Sequence, residues 1–293
     1  MQWLVFVLFV LGPAMGADRI RSVGQLNRAI KLEAIHDMDA ALRAGRQATE
    51  IDPTHAKAHR FVAQLYYKQK KYGDAAVAFE AAREAETDDE EVAELSYLLG
   101  NAHTAKGEEA AALTERKSLT RQAVAAYTVA VTKGPGHYKA YHRRATAHDW
   151  LDDPDAADAD LRQCIRVNPQ YAPCFVSLAN LYADFGFVAE AVAVVEAGVA
   201  ANGKDAVMWT GAGRTFLDLG RPAEAIRHFR KALAIDPELV DALFGVGMAY
   251  AETRDRENAV RSLTDFLAKA DADVPESIKR HAQNTVARMQ DAI

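Results

Sequence analysis

Two histidines, His55 and His59, stand four residues apart, a spacing at which two imidazoles on one helix face can share a metal ion. His55 falls in the turn before its helix and no third ligand accompanies the pair, so no metal site is expected. Asp152, Asp153, Asp155, Asp158 and Asp160 form an acidic run that suggests calcium, yet the run lacks the central glycine and terminal glutamate of a calcium loop. These aspartates suit a turn and the start of a helix, where carboxylates interact favourably with the helix dipole. Gly211-Ala212-Gly213 and Gly245-Val246-Gly247 look like pieces of phosphate-binding loops, but neither follows a strand, and close helix packing accounts for them. No Ser-His-Asp or Cys-His order can be assembled. No catalytic residue, no cofactor and no enzymatic activity is expected.

The elements that would position any site must therefore be read from pattern. In 293 residues, apolar side chains make up 49% and charged ones 26%, close to globular averages, so disorder is not expected over most of the length. The formal charge of −6 leaves no basic footprint for a phosphate backbone, which argues against nucleic acid as a partner. Asp52-Pro53, Gly134-Pro135, Asn168-Pro169 and Asp236-Pro237 each close a unit in a 34-residue frame, a period that signals stacked supersecondary units. Units run approximately over 22–55, 56–89, 93–137, 138–171, 172–205, 206–239 and 240–273, followed by a capping helix over 274–293. Each has two amphipathic helices, since apolar and small residues recur at spacings of three and four. In the sixth unit Gly213 and Ala225 let two helices approach, while Trp209 and Phe229 fill the volume beside them.

One unit departs from the frame. Gly107 stands 16 residues before Ala123, whereas Gly186 stands five before Ala191, so eleven residues are extra. The insert from Glu108 is rich in helix formers, and eleven residues are close to three helical turns, so a protruding helical arm is predicted, with a mobile loop as the alternative. Cys164 and Cys174 lie on a second helix and near the start of the next first helix, offsets that stacking brings together. They form either a disulfide, if the chain is exported, or two small buried hydrophobes.

At the N-terminus the unbroken apolar run Trp3 to Leu11 precedes Gly12-Pro13 and the small residues Ala14 and Gly16. Such a segment resembles a secretory signal peptide cleaved before Ala17, so residues 1–16 are assigned as leader and the chain as exported, to a periplasm or along a secretory pathway. Arg19 and Arg21 follow the run and no basic residue precedes it, which favours the alternatives of a signal anchor or a buried helix. The run is too short to span a bilayer by itself.

Leu178-Ala179, Tyr182, Gly186 and Ala191, with a closing proline, resemble the tetratricopeptide repeat, whose signature sets Trp, Leu-Gly, Tyr, Ala, Phe, Ala and Pro at fixed offsets. The resemblance covers nearly everything after the leader and implies an all-α, right-handed superhelical solenoid of about seven repeats that binds a protein or peptide along its concave groove. By family offsets the groove would contain Lys57, Arg60, Gln64, Tyr97, Asn101, Lys139, His142, Asn180, Arg214, Phe244 and Met248. It would be basic and polar toward the N-terminus, with an apolar Phe244–Met248 anchor toward the C-terminus, the alternative being that these two pack under the C-terminal cap. Some members clamp acidic chaperone tails, and here Lys139 and Arg143 match that clamp, while Arg60, Gln64 and Leu98 depart from it. The expected role is a non-catalytic binding or assembly scaffold. A membrane-tethered accessory subunit of an envelope or secretion complex is the alternative, ahead of a chaperone cofactor or a glycosyltransferase-associated array. Membrane contact is expected only through an uncleaved leader.

Overall fold

The computed structural model describes residues 2–291, with side chains from 16 to 290, and every regular element among them is an α-helix. The leader assigned to residues 1–16 lies, but for Gly16, outside the described side chains. The chain divides into two compact units, Met1–Asp152 and Asp153–Ile293. The first contains α1 (Gln2–Ala34), α2 (Met38–Ile51), α3 (Ala56–Lys68), α4 (Tyr72–Glu84), α5 (Asp89–Glu109), α6 (Leu113–Lys133) and α7 (Tyr138–Trp150). The second contains α8 (Pro154–Val167), α9 (Ala172–Asp184), α10 (Val188–Ala201), α11 (Ala206–Asp218), α12 (Pro222–Ile235), α13 (Val240–Glu252), α14 (Arg256–Lys269) and α15 (Glu276–Asp291). Within each unit successive helices pack on one another, and first helices also meet first helices, as α9 meets α11 and α11 meets α13. Each repeat thus buries its apolar face on its neighbour, which makes the fold an all-α helical repeat solenoid.

Local chemistry sets the helix ends. His36, Lys70, Asp152, Gly186, Gly220 and Arg254 all have positive φ, and each sits two residues past the end of a first helix. At Lys70 the amide donates to Tyr67 O (2.9 Å), and the Lys71 amide reaches back to Tyr66 O (2.9 Å), the paired bonds that stop a helix with a left-handed residue. The second helices α2, α8 and α12 start on side-chain caps or prolines: Asp37 accepts from the Ala40 amide at α2, Asp153 from Ala156 at α8, and Pro154 and Pro222 stand at the first helical position of α8 and α12, where no amide is needed.

The third repeat lacks that left-handed turn. Its first helix starts at Asp89, four residues before the frame would place it, because Asp88 accepts from the Glu90 and Glu91 amides and Asp89, Glu90 and Glu91 crowd acid into the first turn. Gly107 is not at a turn; it is buried inside α5 facing Leu119, and the chain reverses only at Ala110–Ala112. Both helices of this repeat reach 21 residues, against 13 or 14 in α7 to α14. The extra residues build a longer helical hairpin with an exposed tip around Leu113, held at its side by Arg116 over the Trp150 ring (5.2 Å).

Aromatic side chains on second helices fill gaps left by glycine on first helices. A Cβ on Gly213 would stand 2.7 Å from the Phe229 ring, and one on Gly245 only 2.4 Å from it, so Phe229 locks its own repeat to the next. Trp209 packs at the margin of the same apolar cluster. It is half-buried, donates to Gly203 O (2.9 Å) and faces His228. At the end of the second unit, α15 starts on Pro275 and buries Ala282 and Thr285, with Val286 beside them, whereas Ile278 stays exposed.

Candidate protein-binding surface

In the first unit the side chains assigned to a groove come together on the first-helix face of α3, α5 and α7. Arg60 on α3 donates to Glu91 on α5 (2.6 Å), and Glu94, one turn further on, meets His137 Nε2 (3.2 Å) just before α7. His137 holds the Glu94 carboxyl below its ordinary range, assisted by the charges of Arg60 and Lys139 against the opposing effect of burial. Tyr97 stacks obliquely on His137, ring centres 4.8 Å apart. Asn101 accepts from the Tyr127 hydroxyl (2.9 Å), which also meets Thr104 (3.1 Å). Tyr127 is fully buried, and burial pushes its phenol far above the usual range, so it stays a neutral donor. Burial, with the Arg143 charge beside it, pushes His142 down to about 4, so that ring is neutral at pH 7. Lys57, Gln64 and Lys139 are exposed, Lys139 lying over the Tyr138 ring.

Two features of this face differ from the family-offset assignment. Arg60 is not a free cation, because Glu91, on the next first helix, already neutralises it. Tyr67 was absent from the assignment, yet it is 37% exposed; burial and then Tyr72 raise its phenol above the ordinary range, against the charge of Arg143. Its spacing from Arg60 and Gln64, seven and three residues on one helix, was the signal that could have identified it. Leu98 packs into the core with Leu42 and Tyr66, so the middle of a chaperone-type clamp is filled by apolar contact.

In the second unit the assigned residues are largely consumed by packing. Phe244 and Met248 do not form an open anchor: they pack with Phe266, Leu263 and Val286, Phe244 lying 5.1 Å from Phe266 and 6.2 Å from His281 of α15. The capping helix covers the face that periodicity alone leaves open. Asn180 accepts from the buried Thr215 hydroxyl (2.8 Å), tying α9 to α11. Arg214 remains exposed near Asp218, whose carboxyl is raised by burial and by Asp184 against the effect of Arg214. Cys164 and Cys174 are buried and disulfide-bonded, Cα atoms 6.2 Å apart, linking α8 to α9.

The other chemically suggestive residues have structural partners. His55 is buried against the Ser22 hydroxyl (2.6 Å), while His59 Nε2 turns to Pro53 O (2.9 Å). Asp158 pairs with Arg162 (2.8 Å) and accepts from Tyr182 (2.5 Å). No cluster of three His, Cys, Asp or Glu side chains that could hold a metal occurs among the described residues, and none of their helices is long and apolar enough to cross a membrane.

Comparison with known proteins agrees with this geometry. Tetratricopeptide-repeat family models match residues 36–96, 138–171, 176–240 and 210–275. The chain is 26% identical over 260 residues to human Superkiller complex protein 3, and 29% identical over 147 residues to DnaJ protein P58IPK homolog B of Oryza sativa subsp. japonica. These alignments take in 76% and 45% of the chain, but only 16% and 31% of those longer proteins. A tetratricopeptide repeat protein from Parabacteroides merdae superposes with a TM-score of 0.66 at 14% identity, covering 92% of this chain and 99% of its own. The C-terminal part of a repeat protein from Cytophaga hutchinsonii gives 0.57 at 14% identity, with 89% and 99% covered. Repeats of this kind are protein-interaction scaffolds, and with matches spread over most of its length the chain belongs to the tetratricopeptide-repeat family.

Proposed function

We propose that the chain is a non-catalytic scaffold that holds an extended, partly acidic segment of a partner protein across the first-helix face of α3, α5 and α7. The observation that carries this reading is the Glu94–His137 pair with Tyr97 against it and Lys139 beside it, on a face where Arg143 lies near Tyr67 and Lys57 is exposed. Half-exposed tyrosines supply contact area at low entropic cost, which is how binding surfaces anchor a ligand. Lys57 and Lys139 supply charge, and Gln64 supplies amide hydrogen bonding, without disturbing the core. The second unit contributes stability more than recognition in this reading, since its assigned anchors are covered.

Capture of the partner from the native source, followed by titration calorimetry with the purified partner, tests the proposal. Tyr97→Ala should weaken binding about tenfold or more. Lys139→Glu should weaken it strongly at low salt and less at high salt, as screening takes over. Affinity that ignores both changes at low ionic strength would remove this face from the reaction.

Export to an oxidising compartment is the localisation we propose, supported by the signal-like leader and by the bonded pair Cys164–Cys174. N-terminal sequencing of the native protein decides between forms: a start at Ala17 fits a processed protein, and an intact leader fits a membrane-tethered accessory subunit.

A further inference from the structure

Three helices of the first unit close around a small cavity that the proposed reading leaves unassigned. The space measures about 120 Å³ and is walled by Thr104 of α5, Arg116 and Thr120 of α6, and Arg143, Thr146 and Trp150 of α7. Helical period explains the convergence, since residues three, four or seven apart share one face of a helix. Arg116 belongs to the lengthened part of the third repeat, so a repeat of ordinary length would lack this wall. The cavity adjoins the candidate face: the Tyr67 phenol, raised first by burial and then by Tyr72, also feels Arg143 and Glu108 with opposite signs.

Arg116 is half-buried, and its guanidinium rests over the Trp150 ring (5.2 Å). Stacking covers the flat face of the guanidinium and leaves its N–H edge open, the edge that grips a carboxylate with two hydrogen bonds. Arg60, Arg83 and Arg221 are half-buried as well, and each holds a carboxylate of this chain. No carboxylate among the described residues pairs with Arg116. The hydroxyls of Thr104, Thr120 and Thr146 donate to backbone carbonyls one turn back, at 3.0, 2.9 and 3.1 Å, which leaves the arginines as the donors that a ligand would meet. Glu108 lines the same space and offsets one of the two positive charges. The remaining balance suits a monoanion, a carboxylate, better than a phosphate, which carries close to two charges. A volume of this size takes one short side chain rather than a whole ligand. We propose that the cavity is a socket for one acidic side chain of the bound segment, its carboxylate gripped by Arg116 beside Arg143 and its methylene stem laid against Trp150. The inference rests on the partner-binding reading for the source of that side chain, and it adds Arg116, a second-helix residue that family offsets do not place in a groove.

Nuclear magnetic resonance of the full chain tests the socket, with a capped pentapeptide carrying one glutamate among alanines as the probe and its glutamine counterpart as the control. The glutamate peptide at millimolar concentration should shift the Trp150 indole N–H and the Arg116 side-chain N–H signals, and the glutamine peptide should not. Arg116→Gln should weaken the glutamate peptide about tenfold with an unchanged circular dichroism spectrum. Arg116→Lys, which keeps the charge and loses the fork, should weaken it less. An equal response to both peptides, or full affinity in Arg116→Gln, would overturn the socket. Inorganic phosphate that displaces the peptide at lower concentration than the peptide itself requires would overturn the carboxylate assignment. Shifts at Tyr97 and Lys139 with none at Trp150 would remove the socket and leave the partner-binding face standing. Shifts confined to Trp150 and Arg116 would support the socket and count against the wider face.

Discussion

Tyr127 in the first unit and Phe229 in the second occupy the same offset on a second helix, and each fills a gap left by glycine, Gly100 for Tyr127 and Gly213 with Gly245 for Phe229. They differ by one hydroxyl. In the first unit that hydroxyl extends the core to the surface, where it fixes Asn101 on the candidate binding face. Phe229 has no such extension and instead joins two repeats through apolar contact. The same repeat chemistry therefore serves presentation in one unit and cohesion in the other. A disulfide reinforces cohesion in the second unit, and a lengthened helical hairpin marks the first.

The comparison is broken most directly at Gly245. Leucine there must displace the Phe229 ring from both repeats, and the expected cost is about 3 kcal/mol or more, read by chemical denaturation. If the variant is as stable as the parent, the interlock is misassigned. Removing the disulfide by Cys164→Ala with Cys174→Ala should cost about 2–3 kcal/mol, the chain entropy of a short closed loop. Hydrogen exchange should report the loss in α8 to α10 and leave α3 to α7 unchanged.

Mild acid should act in the opposite sense, on the first unit. His55, His103 and His142 there are held below their ordinary pKa, first by burial, as is His228 in the second unit. A buried neutral histidine binds fewer protons folded than unfolded, so its contribution is full above the unfolded value near 6.5 and is lost as pH falls toward the folded one. For His142, with a folded value of about 4, the loss between those limits is on the order of 2 kcal/mol. Exchange protection measured from pH 7 to pH 5 should therefore fall faster in α3 to α7 than in α9 to α14. Equal losses in both would dissolve this contrast.

Tyr127→Phe should cost about 1–2 kcal/mol, the price of leaving Asn101 and Thr104 without their shared donor and acceptor. Partner affinity should fall with it, whereas Phe229→Leu should lower stability and leave affinity alone. The smallest effect concerns the left-handed turns. Lys70→Gly should stabilise by at most about 1 kcal/mol, because relief of positive-φ strain is partly offset by a more flexible unfolded chain. Gly220→Ala should do the reverse in the second unit, and thermal melts of both variants measure the difference.

Much of the fold was legible because its signals are local. The 34-residue frame appears in closing Asp-Pro, Gly-Pro and Asn-Pro pairs, and the small residue at Gly213 announces the gap that Phe229 fills. Asp152 and Asp153 were legible as turn and cap, since a left-handed residue followed by a capping carboxylate needs no information from elsewhere in the chain. The third repeat was read less well. Gly107 resembles a turn glycine by type, but a capped acidic start at Asp88–Glu91 moves the helix onset, and packing against Leu119 keeps Gly107 helical.

The candidate surface was legible only as a set of positions. Offset tells which residues leave the first-helix face, because helical period fixes direction. It does not tell what lies on them. Phe244 and Met248 point the way the period demands, yet α15 returns to cover them, and Arg60 meets Glu91 only when α3 and α5 are stacked. Sequence by itself determined the helices, their turns and the repeat family, all set by contacts within a repeat or with its neighbour. Tertiary structure decided which side chains remain free to meet a partner, because exposure depends on which neighbours the folded chain places over each face.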